Sequence, residues 1–416
     1  MKKQFLSILE TYMHEKAYIL PEDFNELRQL YIFSCEHKMA AAVFEQIRDS
    51  KLWDQEEYAS LKAKWRRSAI TDIMLQVQKE EGFLKVYQKM LSAGAKPLVV
   101  KGMICRYLYG KPDLRISSDE DILLEREEFS LCDEILLSEG FVRDELSLEG
   151  GVAQLPREIP YRNYETGTFI ELHFELFDSD SGAYGHLNDE FSHVFDQSVC
   201  QNIKGVEVWT LAPTDHMFYL ICHAFKHFLH GGFGIRMICD MVMMAELHGA
   251  SMDWNQIGEK LTRLHMDSFW AALAEIGRVY LGFDWDKASY PASLQNAYVG
   301  MEDLLEDLLD SGIYGSSSRE RKHSANITLS AARSGKKRMS ASLKASLFPN
   351  AAYMKKKYPW IGRFPFLLPI GWGLRVVEYL KRRKKRAVAN REKEAKSGLQ
   401  IGMKRVELLK KYRIIE

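Results

Sequence analysis

Apolar residues recur at intervals of three and four through Phe24, Leu27, Leu30, Tyr31 and Phe33, and again through Ile70, Ile73, Met74, Val77 and Phe83. That spacing gathers them on one stripe of a helix. Residues 1–90 therefore read as a helical layer, with one long helix over 61–77. Pro21, Glu22 and Asp23 suit a helix start. Near residue 96 the texture changes. Lys96-Pro97-Leu98-Val99-Val100-Lys101-Gly102 predicts a short apolar strand ending in glycine. Residues 102–109 then read as a helix, stopped by Gly110, Lys111 and Pro112. A strand is expected over 118–124, and a helix over 127–138 closed by Gly140. Residues 141–146 and 151–155 are weaker strand candidates, whereas 168–176 alternates clearly. From residue 212 the helical period returns, over 215–230, 235–248, 254–265, 268–281 and 301–309. The expected fold class is α+β, a mixed β-sheet domain over 93–210 flanked by helical regions over 1–92 and 211–313.

Charge sharpens this division. The chain has no net charge, yet residues 311–416 hold 27 Lys and Arg against 6 Asp and Glu. The body is correspondingly acidic, and residues 314–416 read as a basic linker and tail. Such a tail can meet nucleic acid, an anionic membrane, an acidic partner or the body of the protein itself. Within it, Tyr358 to Trp372 is aromatic, proline-rich and uncharged except for Arg363, and the block Lys381 to Arg386 is wholly basic. That pairing fits a segment lying on an anionic membrane, or a packed helix with a solvated end. The acidic body argues against nucleic acid. No run approaches the ~18 to 20 apolar residues of a membrane span, and the N-terminal apolar stretch is broken at Glu10. Six widely spaced cysteines without a Cys-x-x-Cys pair suit a reducing cytoplasm.

The chemistry concentrates where Asp119 and Asp121 stand one residue apart. On a strand these two share a face and Glu120 points away. Carboxylates held together repel, more so when buried. A hard divalent cation with phosphate oxygens as its remaining ligands answers that need. In the strand over 168–176, Glu171, His173 and Glu175 share a face with Phe169, and Leu172, Phe174 and Leu176 take the other. Glu171 is the expected third carboxylate and Glu175 the runner-up. Lys101 and Gly102, at a helix start, offer an ammonium and free backbone N–H groups to a triphosphate. Arg115 binds phosphate in this reading, or pairs with Asp113 or Asp119. Ser118 is a further donor. His173 assists an acceptor hydroxyl or is a satisfied strand histidine. His223 and His227, one turn apart, line the cleft beside Arg236 and Asp240, with Arg236 touching a phosphate or holding Asp240.

Lys101-Gly102, Tyr109 before a Lys-Pro turn, Arg115, the Asp119 to Leu124 run and Glu171 to Leu176 resemble the uncharacterised nucleotidyltransferase family of bacterial proteins, related to the polymerase-beta-like superfamily. His223, His227, Arg236 and Asp240 stand at similar places, and Phe348-Pro349, Tyr358-Pro359 and Leu368-Pro369 resemble that family's C-terminal part, so the likeness spans roughly residues 96 to 380. The resemblance implies that Asp119, Asp121 and Glu171 hold Mg²⁺ or Mn²⁺ carrying a nucleoside triphosphate. It also implies nucleotidyl transfer to an acceptor hydroxyl, a sugar-linked one included. The chain departs from the superfamily in having Gly102-Met103 where Gly-Ser or Gly-Gly is usual. The alternative function is a non-catalytic nucleotide-binding or scaffold protein keeping the same fold, peripheral to the membrane through its tail.

Overall fold

The computed structural model describes residues 1–143, 156–312 and 388–415, with a few positions between: 327–329, 331–332, 354, 358, 361, 366 and 368–374. The N-terminal layer is helical as expected, with α1 (Lys2–Met13), α2 (Leu27–Glu36), α3 (Ala40–Ile47) and α4 (Ala59–Ser92). α4 runs well past residue 77, through 34 residues. Its apolar stripe is interrupted by Gln76 and Glu80, which are buried because the sheet domain supplies their partners.

Four strands form one sheet in the order β1-β2-β4-β3: β1 (Leu98–Val99), β2 (Glu120–Leu123), β3 (Glu158–Arg162) and β4 (Phe169–His173). β2 runs parallel to β4, and the two outer strands are antiparallel to their neighbours. The short helix α5 (Met103–Arg106) follows β1, and α6 (Phe129–Ser138) follows β2. Every residue of β2 is buried. The strand over 118–124 is thus shorter than its pattern suggested, and Asp119 precedes it. β3, with Pro160 exposed on an edge strand, and the hairpin of β5 (Val199–Ile203) and β6 (Val206–Thr210) escaped the sequence reading. In that hairpin Lys204 and Gly205 both take positive φ, 50° and 86°, as a two-residue type I′ turn requires. Of the weaker strand candidate over 141–146, Val142 joins the sheet by a bridge to Arg162, and residues 144–146 lie outside the described residues. Residues 151–155 lie outside the described residues.

The second half is helical: α7 (Pro213–His230), α8 (Arg236–His248), α9 (Trp254–Arg263), α10 (Asp267–Tyr280), α11 (Ala292–Gln295), α12 (Glu302–Ser311) and α13 (Val388–Lys411). One apolar cluster runs through α1–α3 and α7–α12, so the two helical regions share a core. A second, smaller cluster lies under the sheet, with the latter part of α4 and α6. The end of the basic tail folds back on the body. Leu408, Leu409 and Tyr412 join the main core. Lys411 pairs with Asp303 at 2.8 Å and Arg405 with Asp307 at 3.5 Å on the acidic α12. Of the partners open to a basic tail, the body is the one its last turns use. Four of the six cysteines are buried, with Cys35 half-buried and Cys200 exposed, and all are free. No helix among the described residues is long and apolar enough to cross a membrane.

Candidate metal centre

β2 and β4 bring the acidic groups together through register. Asp121 lies opposite Glu171, and Leu123 opposite His173. Parallel neighbours in register share a face, so one donor from β2 meets two from β4. Nε2 of His173 lies 3.1 Å from Oδ1 of Asp121 and 3.5 Å from Oε2 of Glu171. Ligand atoms of these three residues all fall within 4.8 Å of one another. The other Asp121 oxygen, Oδ2, pairs with Nζ of Lys101 at 2.5 Å. Glu158, from β3, stands behind His173, 3.7 Å from its Nδ1. Sequence reasoning missed Glu158 because β3 carries no clean alternation.

The electrostatics differ from one carboxylate to the next. Burial opposes ionising Asp121, but the Lys101 ammonium and His173 outweigh it and hold its carboxyl well below the usual range. Burial pushes Asp119 up, only partly offset by Lys101, and the nearby charges of Asp121 and Glu171 push it further. Burial disfavours a charged His173, yet its contacts with Asp121 and Glu171 raise it overall. Two carboxylates and an imidazole fit a divalent cation. The imidazole suits Mn²⁺, and the oxygens suit Mg²⁺ or Mn²⁺.

The expected site residues divide into two sets. Asp121, Glu171, His173 and Lys101 converge, with Asp119 within their field. The ligand group contains His173 where the sequence reading placed Asp119. Glu175 lies past the end of β4 and accepts a hydrogen bond from Ser179 at 2.7 Å. Ser118 is exposed. Arg115 is buried and pairs with neither Asp113 nor Asp119. It grips Asp240 through Nε at 3.0 Å and Nη2 at 2.6 Å. Tyr109 donates to the same carboxylate at 2.8 Å. Arg236 donates to the carbonyl of Ile116 and does not hold Asp240. Arg115, Arg236 and Asp240 line a small cavity with His223 and with Lys101, whose ammonium pairs with Asp121.

The Gly102 turn differs from expectation in one respect. Its φ of 58° is a glycine conformation. The first N–H of α5, however, is not free, because Met103 donates it to Oε2 of Glu120 at 2.6 Å. A β carbon on Gly102 would lie 2.1 Å from that oxygen. The space meant for phosphate is filled by a carboxylate of the chain itself. On α7, His223 and His227 face each other with Nε2 atoms 3.0 Å apart.

The family model described as "Uncharacterised nucleotidyltransferase" matches residues 25–282. The match begins earlier than the motif likeness and stops before the Phe348-Pro349, Tyr358-Pro359 and Leu368-Pro369 stretches, which fall outside it. No curated protein and no solved structure matches the chain.

Proposed function

The chain belongs to the uncharacterised nucleotidyltransferase family, within the polymerase-beta-like superfamily, and from that premise we propose that it transfers a nucleotidyl group from a nucleoside triphosphate to an acceptor hydroxyl. The observation that carries the reading is the convergence of Asp121, Glu171 and His173 on adjacent parallel strands. These three would hold the divalent cation, Mn²⁺ or Mg²⁺, which supplies charge neutralisation for the phosphates and the leaving pyrophosphate. Lys101 fixes the orientation of Asp121 through Oδ2, leaving Oδ1 toward His173 and Glu171. Asp119, as the carboxylate, would accept the acceptor hydroxyl's proton, and the burial that raises its pKa makes that carboxylate the stronger base. The hydroxyl oxygen attacks the α-phosphorus, the bond to the β-phosphate oxygen breaks, and pyrophosphate departs. The test is pyrophosphate release from each nucleoside triphosphate with Mn²⁺ or Mg²⁺ and a panel of alcohol acceptors, sugars included. Release abolished by Asp121→Asn supports the proposal. Nucleotide binding without release under any acceptor supports the second reading.

That second reading is a non-catalytic nucleotide-binding protein. The Lys101–Asp121 pair favours it, since an ammonium already sits where a cation is wanted. A peripheral membrane role fits the tail, where Phe366, Ile370 and Leu374 stand exposed at four-residue spacing ahead of the basic block Lys381 to Arg386. Flotation with anionic liposomes tests the membrane role. Equal flotation after replacing Phe366, Ile370 and Leu374 by serine removes it.

A further inference from the structure

A triphosphate beside Asp121 and Glu171 meets repulsion unless cations other than the metal surround it. The Gly102 turn does not offer the Met103 N–H, because Glu120 already takes it. We propose that the polyphosphate is held instead by one side of α7 and the approach to β3, with Lys226 and Arg157 as its principal cations and His227 beside them. This rests on the nucleotidyl reading above and names the anion subsite of that site.

His223, Lys226, His227 and His230 recur at three- and four-residue steps, so they form one stripe of α7. His223 lines a small cavity together with Lys101, which pairs with Asp121, and this sets the stripe beside the site. Among the described residues, no hydrogen bond or ion pair holds the Lys226 ammonium, although it is partly buried. Burial presses its charged form down, and the positive fields of Arg157 and Lys101 press it further, against weaker support from Glu158 and Asp121. Arg157 spends Nη2 on Glu158 and leaves its buried Nη1 without a partner. An unpaired cation withdrawn from water is costly, and a second and third cation nearby make it worse. The carboxylates do not discharge it, since among the described residues none lies within ion-pair distance of Lys226. What satisfies several converging cations is an anion with many oxygens, and a polyphosphate has that chemistry.

The test is calorimetry on the full-length protein with Mn²⁺, using inorganic tripolyphosphate and an α,β-methylene nucleoside triphosphate as probes. Lys226→Met is expected to weaken tripolyphosphate binding by about 10- to 100-fold. Lys226→Arg retains most of it, and Mn²⁺ binding without phosphate stays as in the wild type. The melting temperature of Lys226→Met should equal or exceed that of the wild type, which separates lost binding from lost folding. Tripolyphosphate bound by Lys226→Met as tightly as by the wild type overturns the subsite. If the nucleotide analogue then still binds, the nucleotidyl reading survives alone. Lys226-dependent tripolyphosphate binding with no affinity for the nucleotide keeps the subsite and removes the nucleotidyl reading. Failure of the wild type to bind either probe overturns both.

Discussion

β2 carries acidic side chains on both of its faces, and the two faces satisfy them by different means. On one face Glu120 receives Arg106 Nη1 at 2.7 Å, the Met103 N–H at 2.6 Å and Ser117 Oγ at 3.3 Å. Glu80, from α4, joins the same group, taking Arg106 at 3.4 Å, the Tyr107 hydroxyl at 3.0 Å and Lys204. Two carboxylates meet two cations there, and every charge is matched within the chain. On the other face Asp121, Glu171 and Asp119 share Lys101 and an imidazole. A carboxylate that only builds the fold brings its own counter-charge. A cluster whose carboxylates outnumber the cations paired with them has a place for a cation that arrives later.

Mutations should pull the two faces apart. The largest effect is expected from Arg106→Met, which leaves the buried Glu120 with neutral donors only and Glu80 with Lys204 as its one cation. We expect a loss of about 3–5 kcal/mol in urea unfolding, whereas Glu171→Gln should unfold at or above the wild-type midpoint, since it relieves repulsion. Equal losses for the two would erase the distinction between the faces. Next in size is metal stabilisation. Mn²⁺ at about a hundred times its dissociation constant should stabilise the wild type by about 2.7 kcal/mol, and Glu171→Gln should show almost none of this in thermal melts. Gly102→Ala combines a left-handed φ with a collision on Glu120, and about 2 kcal/mol of destabilisation is expected. A neutral result would mean that the turn is open enough to admit phosphate after all.

The smallest effect is a pH signature. The folded-state pKa of Asp119 is raised, so ionising it costs stability once the pH climbs through that value. Asp119→Asn should therefore be more stable than the wild type at neutral pH. The gain should vanish as the pH falls through the carboxylate range, where both states of the wild type bind the proton. Asp121 runs the opposite way. Its depressed value contributes stability above the unfolded carboxylate pKa, and this is lost as acid protonates it. Paired unfolding curves from pH 3 to 8 would show both slopes, and a constant gap for Asp119→Asn would contradict the first.

The alternation rule brought Asp121, Glu171 and His173 of the candidate cluster to one face, because they lie on well-formed strands whose apolar faces are buried. Asp119 precedes the strand, which begins at Glu120, so the ladder does not fix its face, although the charges of Lys101, Asp121 and Glu171 all act on it. Glu120 looked like a bystander. Its donors Arg106, Met103 and Ser117, and Glu80 which shares Arg106 with it, come from segments that no local pattern joins. Arg115 was recognised as important but given the wrong partner, because Asp240 lies 125 residues away. The helical regions were legible from period alone. That they share one core was not, since a stripe says which side is buried and never against what.

The central claim is that Asp121, Glu171 and His173 hold a divalent cation. Its most direct test is Mn²⁺ titration followed by electron paramagnetic resonance, comparing the wild type with the double substitution Asp121→Asn and Glu171→Gln. The account predicts protein-bound Mn²⁺ in the wild type, tightened by added nucleoside triphosphate and lost in the double variant. Mn²⁺ binding that is the same in both proteins, or absent from the wild type even with nucleotide present, would contradict it.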